Sequence, residues 1–190
     1  MTIPQFTVDG ILPPYIGDNA GGPQEGMSPY LAEPLDVVDQ FGTSVRRCVI
    51  LRDWLQHRAE LRDIGILSGF QWLDGSFVED KEPNDLDLVT FLFRPEGCQD
   101  AEPWNRWVGE NISLLLREPV RARYKLDFFV VDMNGHPETI VDAARYWLGL
   151  FSHKRSTNQW KGMLKIRLDA DDVPASELVA ARLAAYEASQ

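Results

Sequence analysis

The chain has 190 residues, 29 of them acidic against 19 basic, for a net charge of −10. That excess disfavours broad nucleic-acid binding or an anionic membrane surface, since both need a positive field; it leaves room for a local basic pocket. With 44% hydrophobic residues and six tryptophans, the chain reads as one globular domain, and a domain of this length buries roughly 70% of the surface its unfolded form exposes.

Residues 1–36 are rich in Pro and Gly, and Pro13-Pro14 and Gly21-Gly22 argue against a long helix or a central strand there. Phe6, Ile11, Leu12, Tyr15 and Ile16 are nevertheless too apolar for a solvated tail. The expectation is an extended arm packed on the domain formed by residues 37–190, with a looser stretch over 17–27. From Val45, apolar residues recur at steps of three or four (Cys48, Leu51, Leu55, Ala59), and Ser44 is placed to cap a helix running to about residue 62. Strands follow at 66–73 and 86–93, the second apolar on both faces and therefore central. A helix over 101–118 is expected to stop before Pro119. Then come a strand at 123–131, a helix opened by Pro137 and reaching about Phe151, a strand at 162–168 and a helix over 174–188. The order predicts an α+β (or α/β) domain, a mixed sheet of four or five strands flanked by helices.

Cys48 falls in the apolar helical run and reads as a buried thiol; with only Cys98 besides it and no CxxC, neither a disulfide framework nor a zinc site is expected. No basic-then-apolar leader opens the sequence and no apolar run approaches a bilayer span, so a cytoplasmic, non-membrane protein is expected. Of the histidines, His57 is read as solvated, His136 as turn or cap chemistry, and His153 as a neighbour of a basic loop.

The stretch with chemical content is "LDGSFVEDKEPNDLDLV", residues 73–89. After a Gly-Ser turn it opens a strand with Asp85 and Asp87, which share a face because side chains alternate. Asp85 alone would be ordinary turn chemistry after Pro83-Asn84, but Asp87 lies inside the strand between Leu86 and Leu88. Asp127, between Leu126 and Phe128, repeats the pattern on a later strand. If the two strands are neighbours, three carboxylates converge, and such a cluster suits a hard divalent cation that shares its oxygen ligands with phosphates. Gly75 would let the backbone approach a phosphate and Ser76 would add a hydroxyl donor.

Gly-Ser, a short segment, Asp-x-Asp and a later Asp on a strand resemble the signature of the nucleotidyltransferase superfamily related to DNA polymerase beta. More narrowly, "IPQFTVDGILPP", "WLDGSFVEDKEPNDLDLV", "YWLGLF" and "KGMLKI" are similar to small bacterial nucleotidyltransferase-like proteins along nearly the whole chain. The resemblance implies Mg²⁺ (or Mn²⁺) held by Asp85, Asp87 and Asp127, which would be the catalytic carboxylates. It implies Gly75 and Ser76 against the phosphates of a nucleoside triphosphate, and an acceptor hydroxyl on a protein or small molecule. A toxin–antitoxin or defence context, with a protein partner from it, is implied as well. One departure stands out: "FVEDKEPN" carries Glu79, Asp80 and Glu82 but only Lys81 as a cation, so a triphosphate would meet repulsion there without help from elsewhere.

Help is expected from the segment between Asp142 and Asp169, which holds no acidic residue and six cations. Lys154, Arg155 and Lys161 are candidates to reach phosphate, with Trp160 stacking on a base. The plainer alternative is a basic surface balancing acidic neighbours. Two functions follow: a Mg-dependent nucleotidyltransferase, or an inactive module of the same fold acting by protein–protein contact. A nuclease built on the same carboxylates is disfavoured by the net charge.

Overall fold

The computed structural model describes residues 3–18, 20 and 22–189. The fold is α+β. Five strands form a mixed sheet in the order β1-β7-β2-β3-β4, where β1 is Tyr30–Leu31, β2 Gly69–Asp74, β3 Leu86–Leu92, β4 Leu126–Asp132 and β7 Leu164–Arg167. β3 and β4 run parallel, β2 is antiparallel to both β3 and β7, and β1 lies parallel to β7. A separate two-stranded hairpin pairs β5, His153–Lys154, with β6, Gln159–Trp160.

Alternation along the strands divides the core. On one face Leu73, Leu86, Leu88, Phe128, Leu164 and Ile166 meet Val37, Val38 and Phe41 of helix α1 (Pro34–Phe41), Ile50, Leu51 and Trp54 of α2 (Val45–Asp63) and Val179 of α7 (Val173–Ala188). On the other, Val89, Phe91 and Val131 pack with Trp147 and Phe151 of α6 (Pro137–Phe151). Each such side chain, fully buried, contributes roughly 1.5–3 kcal/mol. Ser44 caps α2 as expected, its Oγ accepting from the Arg47 N–H at 3.2 Å, and Cys48 is buried.

The arm of residues 3–18 is packed down, with Ile3, Ile11 and Leu12 buried. The looser stretch expected over 17–27 includes Asn19 and Gly21, which lie outside the described residues. Beyond it, Tyr30–Leu31 already joins the sheet and α1 begins at Pro34.

Three expectations are corrected. The helix over 101–118 is broken into α3 (Ala101–Glu110), α4 (Ile112–Leu115) and α5 (Arg117–Arg123), with Leu116 extended between the last two. Pro119 does not stop it, because it occupies the first turn of α5, where N–H groups have no intrahelical partner to lose. His57 is not solvated: it is 0% exposed, edge-on to the rings of Tyr124 and Phe128, and burial pushes its pKa down to about 4. The segment 153–160, read as a loop, forms the β5–β6 hairpin. His136 is the cap of α6, its Nδ1 accepting from the Glu138 N–H. Among the described residues, no helix is long and apolar enough to cross a membrane.

Candidate active site

Asp74, the last residue of β2, stands directly across from Asp87 in β3, and Asp87 stands level with Asp127 in β4. Three carboxylates thus form one row across three adjacent strands, on the sheet face that carries α6, with Asp85 two residues ahead of Asp87 on the same side. Neighbouring strands are about 4.8 Å apart, so the charges are held close by the ladder itself. Immediately after Asp74 the chain turns through a 3₁₀ segment, Gly75–Val78. Gly75 has φ +72°, and a Cβ there would fall 1.8 Å from Asp87 Oδ2. Only glycine lets the turn close against that carboxylate.

Beneath the turn, Lys161 is 2% exposed. Its ammonium donates to Gly75 O at 2.9 Å and Glu79 Oε1 at 3.1 Å, and lies 3.2 Å from Asp74 Oδ1. Burial pushes the Asp74 carboxyl up to about 7 against the pull of Lys161. Burial likewise works to raise Glu79, but the adjacent Lys81 and Lys161 hold it below the usual range. Asp87 is pushed up to about 6, first by burial and then by the charges of Asp85 and Asp127, with Arg155 and Lys161 opposing. The row is therefore short of positive charge where it is most crowded.

Above it opens a cleft of about 490 Å³. One wall comes from α5: Arg117 holds Asp127 in a bidentate pair, Nε to Oδ1 at 2.6 Å and Nη2 to Oδ2 at 3.0 Å, and Arg121 follows one turn later. The other wall is the end of α6 and the β5–β6 hairpin, with His153, Lys154 and Arg155. Among the described residues neither Asp85 nor Asp87 has a hydrogen-bonding or ion-pair partner, and neither do Arg121 and Arg155. The cleft thus carries unpaired carboxylates on its floor and unpaired guanidinium groups on its rim.

All eight residues singled out in the sequence, Gly75, Ser76, Asp85, Asp87, Asp127, Lys154, Arg155 and Lys161, line this cleft. Their positions differ from expectation in two respects. Lys161 is a buried prop under the Gly-Ser turn, not a rim cation, because two carboxylates and a carbonyl claim its ammonium. Trp160 is absent from the cleft wall and packs on Tyr15 of the arm, ring centroids 5.8 Å apart. The acidic loop is also less repulsive than its composition suggests. Glu79 is paired to Lys161 and Lys81, Glu82 accepts from Ser44 Oγ, and Asp80 does not line the cleft.

Asp74, Glu79, Arg117 and Arg121 were not singled out from the sequence. Asp74 directly precedes Gly75, and Arg117 and Arg121 are spaced i,i+4, which puts them on one side of a helix; those were the available signals.

A family model matches residues 4–167, from the arm through the last sheet strand, so every element of the cleft lies inside the match. The chain belongs to the Family of unknown function (DUF6932). No curated protein and no solved structure matches it. Of the DUF6932 domain described here, only α7 lies wholly beyond the matched span.

Among the described residues of this DUF6932 chain, no group of three or more His, Cys, Asp or Glu side chains is arranged to hold a metal ion. Within the row, Asp127 is already engaged, with Arg117 donating to both its oxygens. The free pair Asp85–Asp87 does fit magnesium, which keeps much of its water and takes one or two carboxylates together with substrate phosphates. The raised proton affinity of Asp87 also marks a place where a cation would relieve repulsion.

Proposed function

We propose that the cleft is the active site of a Mg²⁺-dependent nucleotidyltransferase that moves a nucleoside monophosphate from a nucleoside triphosphate to a hydroxyl of a protein or small molecule. The observation that carries this reading is the opposition of unpaired Asp85 and Asp87 on the floor to unpaired Arg121 and Arg155 on the rim. A lone anion would be repelled by the floor and a lone cation by the rim; a metal-bound polyphosphate satisfies both. Asp85 and Asp87 would hold the magnesium. The metal, when bound, would offset the negative charge that develops on the transferring phosphoryl group.

The chain's own groups do the rest. Gly75 lets the turn lie close to the floor, and Ser76 offers its hydroxyl and backbone N–H to phosphate oxygens. Lys154, Arg155 and Arg121 draw the polyphosphate across the mouth. Lys161 acts from below by fixing Gly75 and Glu79. Asp127 lies in register with Asp87 and would complete the metal site with one oxygen and accept the proton of the attacking hydroxyl with the other. That oxygen bonds to the α-phosphorus while pyrophosphate departs. A toxin–antitoxin or defence setting, which the sequence resemblance to minimal nucleotidyltransferases implies, would put the acceptor hydroxyl on a partner protein.

The test is thermal unfolding with each nucleoside triphosphate, with and without Mg²⁺, for the wild type and the Asp85→Asn/Asp87→Asn double variant. A ligand at about 100 times its Kd adds about 2.7 kcal/mol, roughly 5–10 °C for a chain of this size. A Mg²⁺-dependent rise that the double variant loses is the expected result; no rise with any nucleotide would overturn the reading. The bidentate hold of Arg117 on Asp127 favours a second reading, an inactive module of this fold that acts through protein contact, and that is where the negative result would lead.

A further inference from the structure

Asp127 is the one carboxylate of the row whose two oxygens are both taken by a neighbour that is itself weakly held. Arg117 is 43% exposed on its side chain. Among the described residues its one other ion pair is with Glu118, 3.9 Å away and 78% exposed; Asp87 attracts it from further off, and its guanidinium lies over the Phe129 ring with 5.0 Å to the centroid. Arg117 is the first residue of the seven-residue helix α5, directly after the extended Leu116. A long side chain on such a base can change partner by rotating about its own bonds and sliding across the aromatic face, with no movement of the sheet. Arg121, one turn along, already faces the same cleft without a partner among the described residues.

A carboxylate forked by a guanidinium cannot at the same time give those lone pairs to a divalent cation, and the fixed positive charge would repel the cation as well. Phosphate oxygens compete for arginine with the same bidentate geometry. We propose that Arg117 is an exchangeable partner: it occupies Asp127 while the cleft lacks an anion, and moves with Arg121 onto the polyphosphate of an entering nucleoside triphosphate, releasing Asp127 to the cation that accompanies it. This rests on the nucleotidyltransferase reading of the cleft. Its consequence is coupling. Divalent cation alone binds weakly because Asp127 is withheld, nucleotide strengthens it, and by linkage the cation strengthens nucleotide binding by the same factor.

The experiment is a titration with Mn²⁺, following free Mn²⁺ by electron paramagnetic resonance. It uses the wild type and Arg117→Gln, alone and with the α,β-methylene analogue of each ribonucleoside triphosphate in turn. Circular dichroism establishes that the variant is folded. In the wild type, the analogue should tighten Mn²⁺ binding by about tenfold or more, within the usual range of coupling between sites. Arg117→Gln should bind Mn²⁺ alone about tenfold more tightly than the wild type does, and bind the analogue more weakly. If the analogue tightens Mn²⁺ in the wild type but Arg117→Gln binds Mn²⁺ alone no better, Arg117 is a static partner of Asp127: the exchange is overturned and the nucleotide reading stands. If no analogue binds the wild type at any Mn²⁺ concentration, the nucleotide reading falls and the exchange falls with it.

Discussion

Two buried charge clusters stand on opposite faces of the sheet, and they are built on different principles. Between α2, α7 and the sheet, Arg58 donates from Nε to both oxygens of Asp172 at 3.1 and 2.8 Å, from Nη1 to Gln71 at 3.0 Å and from Nη2 to Arg167 O at 2.9 Å. Arg62 adds a second cation on Asp172, and Gln71 is bound in turn to Trp54 and Thr90. There are two cations for one carboxylate, and the excess charge ends on carbonyl oxygens. On the other face, Lys161 serves Asp74 and Glu79 together, the half-exposed Lys81 reaches Glu79 alone, and Asp74 Oδ1 is buried without accepting a hydrogen bond although the Lys161 ammonium is 3.2 Å away. The first cluster is complete and holds helices to the sheet. The second is incomplete, and the deficit faces a cleft. A buried polar group left unsatisfied in a folded protein calls for an explanation, and a site that completes itself with a ligand supplies one.

The sharpest test of the contrast removes the central cation of each cluster. Arg58→Met and Lys161→Met should each cost on the order of 3–5 kcal/mol at pH 7, the usual penalty for stranding a buried partner, read from denaturant melts. The Lys161→Met penalty should shrink towards pH 5, where Asp74 takes a proton; the Arg58→Met penalty should stay, since the acceptors it strands, the Gln71 amide oxygen and the Arg167 carbonyl, do not titrate. Equal pH profiles would erase the distinction.

A second test uses the sign of the Asp87 shift. A carboxyl whose folded pKa stands above its unfolded value stabilises the fold at low pH and loses that contribution as pH rises from the unfolded value through about 6. Asp87→Asn should therefore match the wild type near pH 4 and exceed it at pH 7 by roughly 3 kcal/mol, at about 1.4 kcal/mol per pKa unit. Asp172→Asn, on the other face, should destabilise at pH 7 by stranding two arginines. An Asp87→Asn variant no more stable than the wild type at pH 7 would remove the idea of a floor starved of cation.

The smallest of these effects concerns the turn. Gly75→Ala combines a left-handed backbone with a collision against Asp87, whereas Gly97→Ala meets nothing within 4 Å at φ +80°. The first should cost about 1–3 kcal/mol and the second about 1 kcal/mol, both by thermal melting. The difference between them measures how tightly the turn presses on the carboxylate row.

The parts of this architecture that were legible in advance are those written in local pattern. The central strand showed in its two-sided apolar run, the first long helix in its spacing and Ser44 cap, and the shared face of Asp85 and Asp87 in the two-residue period. That Asp127 would join them followed from its place between Leu126 and Phe128 once β3 and β4 became neighbours. What escaped was set by contacts between distant segments. Lys161 meets Gly75 across 86 positions, so nothing near Lys161 in the sequence distinguishes a buried prop from a rim cation. His57 sits among charged helix residues and becomes buried only because Tyr124 and Phe128 close over it. Arg117 looked like the end of a helix, and only the break at Leu116 turns it towards the carboxylates.

The arm contains one more lesson. Gly10 O accepts from the Asp80 N–H at 2.8 Å and Leu12 O accepts from the Gly162 N–H at 2.8 Å. Two neighbouring carbonyls on a single short span of backbone thus splint the segment after the Gly-Ser turn to the segment after the hairpin. Those two segments meet under the cleft through Glu79 and Lys161, so the base of the site is set once the chain has folded. The entropy of ordering that base falls on folding, not on capture of the ligand, and a visitor finds the foundation already laid.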